Sequence, residues 1–245
     1  MRHLRALWRL WRAVLHALAG WLTITLLFPR WDQQRRDATV QAWAQRMLRV
    51  LGIPLHVSGE PPVQGPMLLV ANHISWLDIL VMHAARHCRF VSKSDVKHWP
   101  LIGTLATGGG TLYIEREKRR DAMRVVHHMA ESLKRGEIVA VFPEGTTGDG
   151  DTLLPFHANL VQAAISAQAP VQPVALRFVD RRTGRNSPGP LYLGDDSLFT
   201  SLWRTLAGAP FVAHVRFGEP QRDEGRDRRQ WAHELHAVVD ALRKS

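Results

Sequence analysis

Two short apolar runs without a polar interruption, Met67-Leu68-Leu69-Val70-Ala71 and Ile138-Val139-Ala140-Val141-Phe142, limit the fold more than any other feature of the chain. Five residues are too few for a core helix, and an unbroken apolar run describes a strand covered on both faces. Val171 to Val179, around Pro173, and Phe211 to Phe217 predict further strands. Arg120 to Lys134 predicts a helix, and the spacing of Trp231, Leu235, Val238, Val239 and Leu242 predicts a final one. The expected fold is α/β, a mixed sheet flanked by helices. With 245 residues, 45% of them hydrophobic, the chain can bury one sizeable core and carry an appendage. No repeats or low-complexity tracts interrupt it, and Arg181 to Pro190 is the clearest long loop.

The appendage is amino-terminal. Arg2, Arg5, Arg9 and Arg12 recur at intervals of three and four, while Leu4, Trp8, Trp11 and Leu15 occupy another side. This describes an amphipathic helix with a basic face and tryptophans suited to the headgroup level of a bilayer. Ala13 to Phe28 is mostly apolar but shorter than the roughly 20 residues that span a membrane. Val40, Trp43, Ala44, Met47, Leu48 and Leu51 mark a second periodic segment. Residues 1–50 therefore predict two helices lying in or partly entering one leaflet, ahead of a domain over 51–245. No small-residue cleavage site follows Phe28, where Pro29-Arg30-Trp31-Asp32 stands, so a signal peptide is disfavoured. The charge balance of 32 Lys and Arg against 22 Asp and Glu gives +10. Such a chain wants an anionic partner, nucleic acid or membrane. Concentration of the arginines beside tryptophans and an apolar stretch favours the membrane.

The run ending at Ala71 leads into Asn72-His73-Ile74-Ser75-Trp76-Leu77-Asp78, and Ile74 to Val81 predicts the start of a helix. Within one helix, a spacing of five would set His73 and Asp78 about 140° apart. With His73 in the turn ahead of the helix, Asp78 can reach back to one ring nitrogen and leave the other for substrate. That makes a general base and its orienting carboxylate. The same residues also fit a capping box with Ser75 as N-cap and Asp78 at N3, and the local sequence leaves both readings open.

Three further blocks bear on the choice: Lys93-Ser94-Asp95 with Trp99-Pro100 and Gly103, Gly110-Thr111-Leu112-Tyr113-Ile114-Glu115-Arg116, and Phe142-Pro143-Glu144-Gly145-Thr146. In this order and spacing, about residues 55 to 180 resemble the glycerolipid acyltransferases typified by lysophosphatidic acid acyltransferases. The resemblance implies direct transfer from acyl-CoA or acyl-ACP to a lipid hydroxyl, with His73 as base and Asp78 as its partner, and no bound cofactor. It implies acceptor binding by the later blocks, with Lys93, Gly110, Arg116, Glu144, Gly145 and Thr146 as candidates. Residue chemistry agrees for Arg116, a planar fork suited to phosphate, and for Lys93, a point charge. Glu144 cannot attract phosphate; hydrogen bonding to acceptor hydroxyls or holding backbone suits it. Lysophosphatidate is the expected acceptor and phosphatidate the product. Many phosphatidate-making members carry an arginine where Thr147 stands, and a lysine and glycine where His157 and Ala158 follow Pro155-Phe156, with Asn159 after them. These departures make a lyso-ornithine lipid the alternative. A soluble thioester donor and the Arg-rich amino terminus imply the cytoplasmic face of the inner membrane.

Other chemistries find less support. No Gly-x-Ser-x-Gly elbow suggests an esterase, and a non-catalytic basic membrane or nucleic-acid binder leaves the ordered blocks unexplained. Cys88 stands alone, so no internal disulfide forms, and beside Phe90 it reads as packing. His83 and His87 could share a helix face, but the intervening Ala84-Ala85-Arg86 supplies no glutamate, and His127-His128 cannot share one. No metal is expected. Backbone amides near Gly109, Gly110 and Gly145 are the candidates for holding an oxyanion.

Overall fold

The computed structural model describes residues 1–114 and 119–245. A helix α1 (Arg2–Leu26) and a helix α2 (Gln33–Leu51) precede a seven-stranded sheet. In chain order the remaining elements are β1 (Leu55–Ser58), β2 (Met67–Ala71), α3 (Leu77–Ala85), β3 (Arg89–Lys93), α4 (Ile102–Gly108), β4 (Leu112–Ile114), α5 (Arg119–Lys134), β5 (Ile138–Val141), α6 (Gln162–Ala167), β6 (Val171–Asp180), α7 (Leu198–Ala207), β7 (Phe211–Phe217) and α8 (Arg228–Lys244).

The strands lie in the order β1-β7-β6-β2-β5-β3-β4. All neighbours are parallel except β6 and β7, which pair antiparallel from Val174↔Phe217 to Asp180↔Phe211. The sheet is mixed, as expected. Every residue of β2 and β5 is buried, because helices cover both faces there. Leu69, Ala71, Ala140, Leu176 and Val215 pack toward α2, α3 and α7. Leu68, Val70, Val139 and Val171 point the other way into a second cluster with Met129, Leu133, Ala164, Trp231 and Leu235 from α5, α6 and α8. Cys88 lies fully buried in the first cluster, where burial pushes its thiol pKa up. That is the packing role expected of it.

The amphipathic and apolar segments of the amino terminus form one helix of 25 residues, about 37 Å at 1.5 Å per residue. By length and composition, residues 2–30 suffice to cross a membrane, which the apolar stretch taken alone does not. Its buried residues are Ala6, Ala13 and Gly20, seven apart. Small side chains on that stripe let α1 approach its neighbours closely. A Cβ on Gly20 would lie 2.5 Å from the Trp43 Nε1 of α2. Trp43 donates from that nitrogen to the His16 carbonyl at 3.1 Å, the His16 ring bonds the Trp43 carbonyl at 3.1 Å, and the two rings stack. Leu4, Leu7, Trp8, Trp11, Leu15, Leu18 and Leu22 stay exposed.

Candidate active site

β2 ends at Ala71, and Asn72 locks the strand end in place: its amide Oδ1 accepts from Leu176 N at 2.7 Å and its Nδ2 donates to Leu176 O at 3.0 Å on β6. His73 follows in the turn. The helix expected from Ile74 begins only at Leu77, because the Asp78 carboxylate takes the amides of Ile74 (2.6 Å) and Ser75 (2.8 Å) and holds both residues outside it. The same Oδ2 lies 2.7 Å from His73 Nδ1. Asp78 is fully buried, and its other oxygen has no partner among the described residues. One carboxylate thus grips the imidazole and ties down the turn, but not as the expected capping box: the N-cap is Trp76 rather than Ser75, and Asp78 stands second in the helix. Ser75 takes the Leu77 amide on its hydroxyl at 3.2 Å.

With Nδ1 turned to Asp78, the His73 ring presents Nε2 outward and is 19% exposed. Its face stacks on Phe142 at 4.0 Å and 6°, and Phe142 stacks on Phe90 at 5.6 Å. Phe90 in turn lines an apolar cavity of about 390 Å³ bounded by Ala13, Trp43, Trp76, Leu80 and Leu105 among others. Spacing alone did not reveal the roles of Phe142 and Asn72, since both depend on strands far away in sequence.

Glu144 reaches His73 from the end of β5. Its Oε1 accepts from His73 N at 2.6 Å and its Oε2 from Leu154 N at 2.8 Å. Burial raises its pKa, against the opposing pull of these two hydrogen bonds. Of the two roles expected for it, this geometry is the backbone-holding one. Gly148 completes the brace by donating to His73 O at 2.8 Å. Gly145 adopts φ +72°, and a Cβ there would meet the His157 ring at 3.0 Å, so glycine is required. Thr146 is exposed on the same loop. The Thr147 hydroxyl donates to Tyr192 O.

Gly110 has φ +80° and lies against the Arg89 side chain of β3. The oxyanion candidates are spent on the backbone: Gly109, Gly110 and Gly145 donate to the carbonyls of Leu105, Thr107 and Phe142. Arg116 and the Lys93 side chain lie outside the described residues. His83 and His87 stack at 5.2 Å, and His87 Nε2 lies 3.1 Å from Asp37 Oδ1. Among the described residues no three ligating side chains converge on a metal position. Burial depresses the His83 pKa to about 3, so its ring is neutral.

Residues 54–177 match the Acyltransferase family. The chain is 38% identical over 223 residues to the lyso-ornithine lipid O-acyltransferase of Pseudomonas aeruginosa, covering 91% of this chain and 85% of that one. The chain belongs to the acyltransferase family. The 1-acyl-sn-glycerol-3-phosphate acyltransferase of Neisseria gonorrhoeae is 40% identical over 184 residues, 74% of this chain and 71% of its own. Among solved structures, the 1-acyl-sn-glycerophosphate acyltransferase PlsC of Thermotoga maritima shares the fold, with a TM-score of 0.69 at 19% identity over 98% of this chain and 97% of that one. This acyltransferase is accordingly an O-acyltransferase of lipid metabolism, and His73 and Asp78 fall within the matched residues. Its exposed apolar α1 accords with membrane association.

Proposed function

We propose that the enzyme moves a fatty acyl group from acyl-CoA or acyl-ACP to the free hydroxyl of lysophosphatidate, giving phosphatidate at the cytoplasmic face of the inner membrane. The observation that carries this reading is the 2.7 Å contact between His73 Nδ1 and Asp78 Oδ2, which leaves Nε2 for substrate, with an apolar cavity reached through the rings of Phe142 and Phe90. Asp78 already accepts two backbone amides through that oxygen, so it serves as the acceptor of the Nδ1 proton and fixes the tautomer with a lone pair on Nε2. Nε2 takes the proton of the acceptor hydroxyl as its oxygen forms a bond to the thioester carbonyl carbon. Collapse of the tetrahedral intermediate breaks the carbon–sulfur bond, and the imidazolium returns its proton to the departing thiolate. Nothing in this sequence requires a metal or a bound cofactor. The apolar cavity suits the acyl chain, and the four arginines of α1 suit an anionic leaflet, each contributing about 1 kcal/mol near its surface.

A second acceptor, lyso-ornithine lipid, is favoured by a specific observation. Thr147 stands where many phosphatidate-making members carry arginine, and its hydroxyl is turned inward onto Tyr192 O. The Pseudomonas aeruginosa relative matches this chain over a greater length than the Neisseria gonorrhoeae one. A competition assay with both lysolipids at equal concentration and one thioester donor decides between them. Lysophosphatidate is expected to be acylated first; preferential acylation of the ornithine lipid reassigns the acceptor, and thiol release independent of any lysolipid refutes the transfer itself.

A further inference from the structure

On the sheet face that carries α8, a group of polar side chains from β1, β6 and β7 gathers where the end of that helix meets the sheet. There the register sets His56 of β1 directly beside His214 of β7, and His214 directly opposite Arg177 of β6. One step along, Ser58 is the neighbour of Arg216. Alternation along β7 buries Ala213, Val215 and Phe217 on the opposite face and leaves His214 and Arg216 half-buried on this one. Ser58, Arg177, His214 and Arg216 line a hollow of about 230 Å³, closed at one side by Leu242 and Ser245 at the end of α8. No aspartate or glutamate lines it among the described residues.

Arg177 and Arg216 are diagonal neighbours across the β6–β7 pair, since Arg177 stands opposite His214 and Arg216 opposite Ala175, and like charges so placed repel. The groups that the two arginines bond do not neutralise these charges. Arg177 donates Nε (3.3 Å) and Nη2 (3.2 Å) to the Asn186 amide oxygen, and Arg216 donates to Ser58 Oγ (3.3 Å), Leu242 O (3.4 Å) and the Ser245 hydroxyl. Every one of these acceptors is neutral. The carboxylate of Asp151 engages Asn186 Nδ2 at 2.6 Å, on the far side of that amide. Burial first, and then the neighbouring His56, Arg177 and Arg216, hold the His214 pKa below its ordinary value. Among the described residues Nη1 of Arg177 and Nη2 of Arg216 make no bond and keep donors to spare.

We propose that this hollow is an anion site for a phosphate-bearing ligand, separate from the His73–Asp78 pair. A phosphate offers several acceptor oxygens to two guanidinium forks from adjacent strands, and its charge offsets the repulsion. The site is tied to the catalytic turn through a short chain of bonds. Asn186, which positions Arg177, donates to Gly150 O at 3.1 Å, and Gly148 of the same loop donates to His73 O.

The test uses the full chain in detergent with inorganic phosphate as probe. Saturable phosphate binding and a rise in melting temperature are expected for the wild type, because a ligand of the folded state stabilises it. Arg177→Gln and Arg216→Gln should each weaken phosphate binding at least tenfold, while Arg181→Gln, an exposed arginine outside the hollow, should not. Arg177 and Arg216 lie on different strands, so failure of one variant to fold leaves the other to decide. Coenzyme A displacing phosphate identifies a soluble phosphoester as the ligand; displacement only by vesicles of phosphatidic acid in phosphatidylcholine identifies a lipid headgroup. Absence of saturable binding to the wild type, or equal binding by wild type and both glutamine variants, overturns the proposal, and neither result bears on acyl transfer by His73.

Discussion

Helices α1 and α8 carry comparable hydrophobic periodicity and resolve it in opposite senses. In α8 the large side chains, Trp231, Leu235 and Val239, are fully buried against the sheet. In α1 the buried positions are Ala6, Ala13 and Gly20, while Leu4, Trp8, Trp11 and Leu15 are between 46% and 72% exposed. Amphipathicity therefore gives a period but not a direction: a large apolar stripe faces whichever phase is apolar. For α8 that phase is the protein core; for α1 it lies outside the protein. The two regions should respond differently to the same kinds of perturbation.

The largest effect is expected where neither solvent matters. His73→Ala should lower turnover by about 10²–10⁴-fold, the usual contribution of a positioned proton transfer, on vesicles and on detergent-dispersed substrate alike. Asp78→Asn should lose nearly as much, because an amide at that position can no longer anchor the Nδ1 proton. A folded His73→Ala variant with normal turnover would falsify the mechanism.

Next comes the exposed face of α1. Replacing Trp8, Trp11 and Leu15 together with serine should abolish sedimentation with anionic vesicles and slow turnover there. Turnover on dispersed substrate should remain within a few-fold, since none of the three contributes to the core. The equivalent change in α8, Trp231→Ser, should unfold the domain, a buried aromatic deletion costing about 3–5 kcal/mol. Equal loss in both assays by the α1 variant would erase the contrast between the two helices.

The hidden face of α1 makes a smaller prediction. Gly20→Leu drives a side chain into Trp43, an overpacking that should cost about 1–3 kcal/mol in chemical denaturation. Little change would mean that α1 is not seated on α2 in solution.

The smallest effect concerns His83, whose folded pKa of about 3 lies below its ordinary 6.5. Below pH 6.5 the unfolded chain binds a proton that the folded chain refuses, so stability falls as pH drops from 6.5 toward 3 and is unaffected above. The slope is at most about 1.4 kcal/mol per unit, or about 2 kcal/mol at pH 5. His83→Leu should remove this contribution, read as a smaller difference in denaturation midpoint between pH 7 and pH 5 than the wild type shows.

Much of the fold was legible because burial on two faces leaves a local mark. β2, β5, β6, β7, α5 and α8 carry apolar runs or clear periods. β1 and β3 mix Ser, His, Arg and Lys with apolar side chains, and β4 is only three residues long, so these are strands because their neighbours pair with them. The stripe of Ala6, Ala13 and Gly20 leaves no mark in the sequence because small residues contribute little to a hydrophobic pattern. At the site, the meeting of His73 with Asp78 followed from a turn and a short spacing. The stack on Phe142, the Asn72 lock and the occupied amides of Gly109, Gly110 and Gly145 depend on contacts that only the assembled sheet creates.

The bond from Glu144 to His73 N spans 71 residues, whereas His73 and Asp78 are only five apart. A chain that has folded only its first half can thus bring the imidazole and its carboxylate together, but nothing yet holds the main chain of the base. Closing that long loop is entropically costly and contributes to the slow, non-local part of folding. The order of assembly is thereby written into the site: the base acquires its final position only once β5 has docked beside β2, so catalytic competence reports completion of the sheet rather than formation of the local turn.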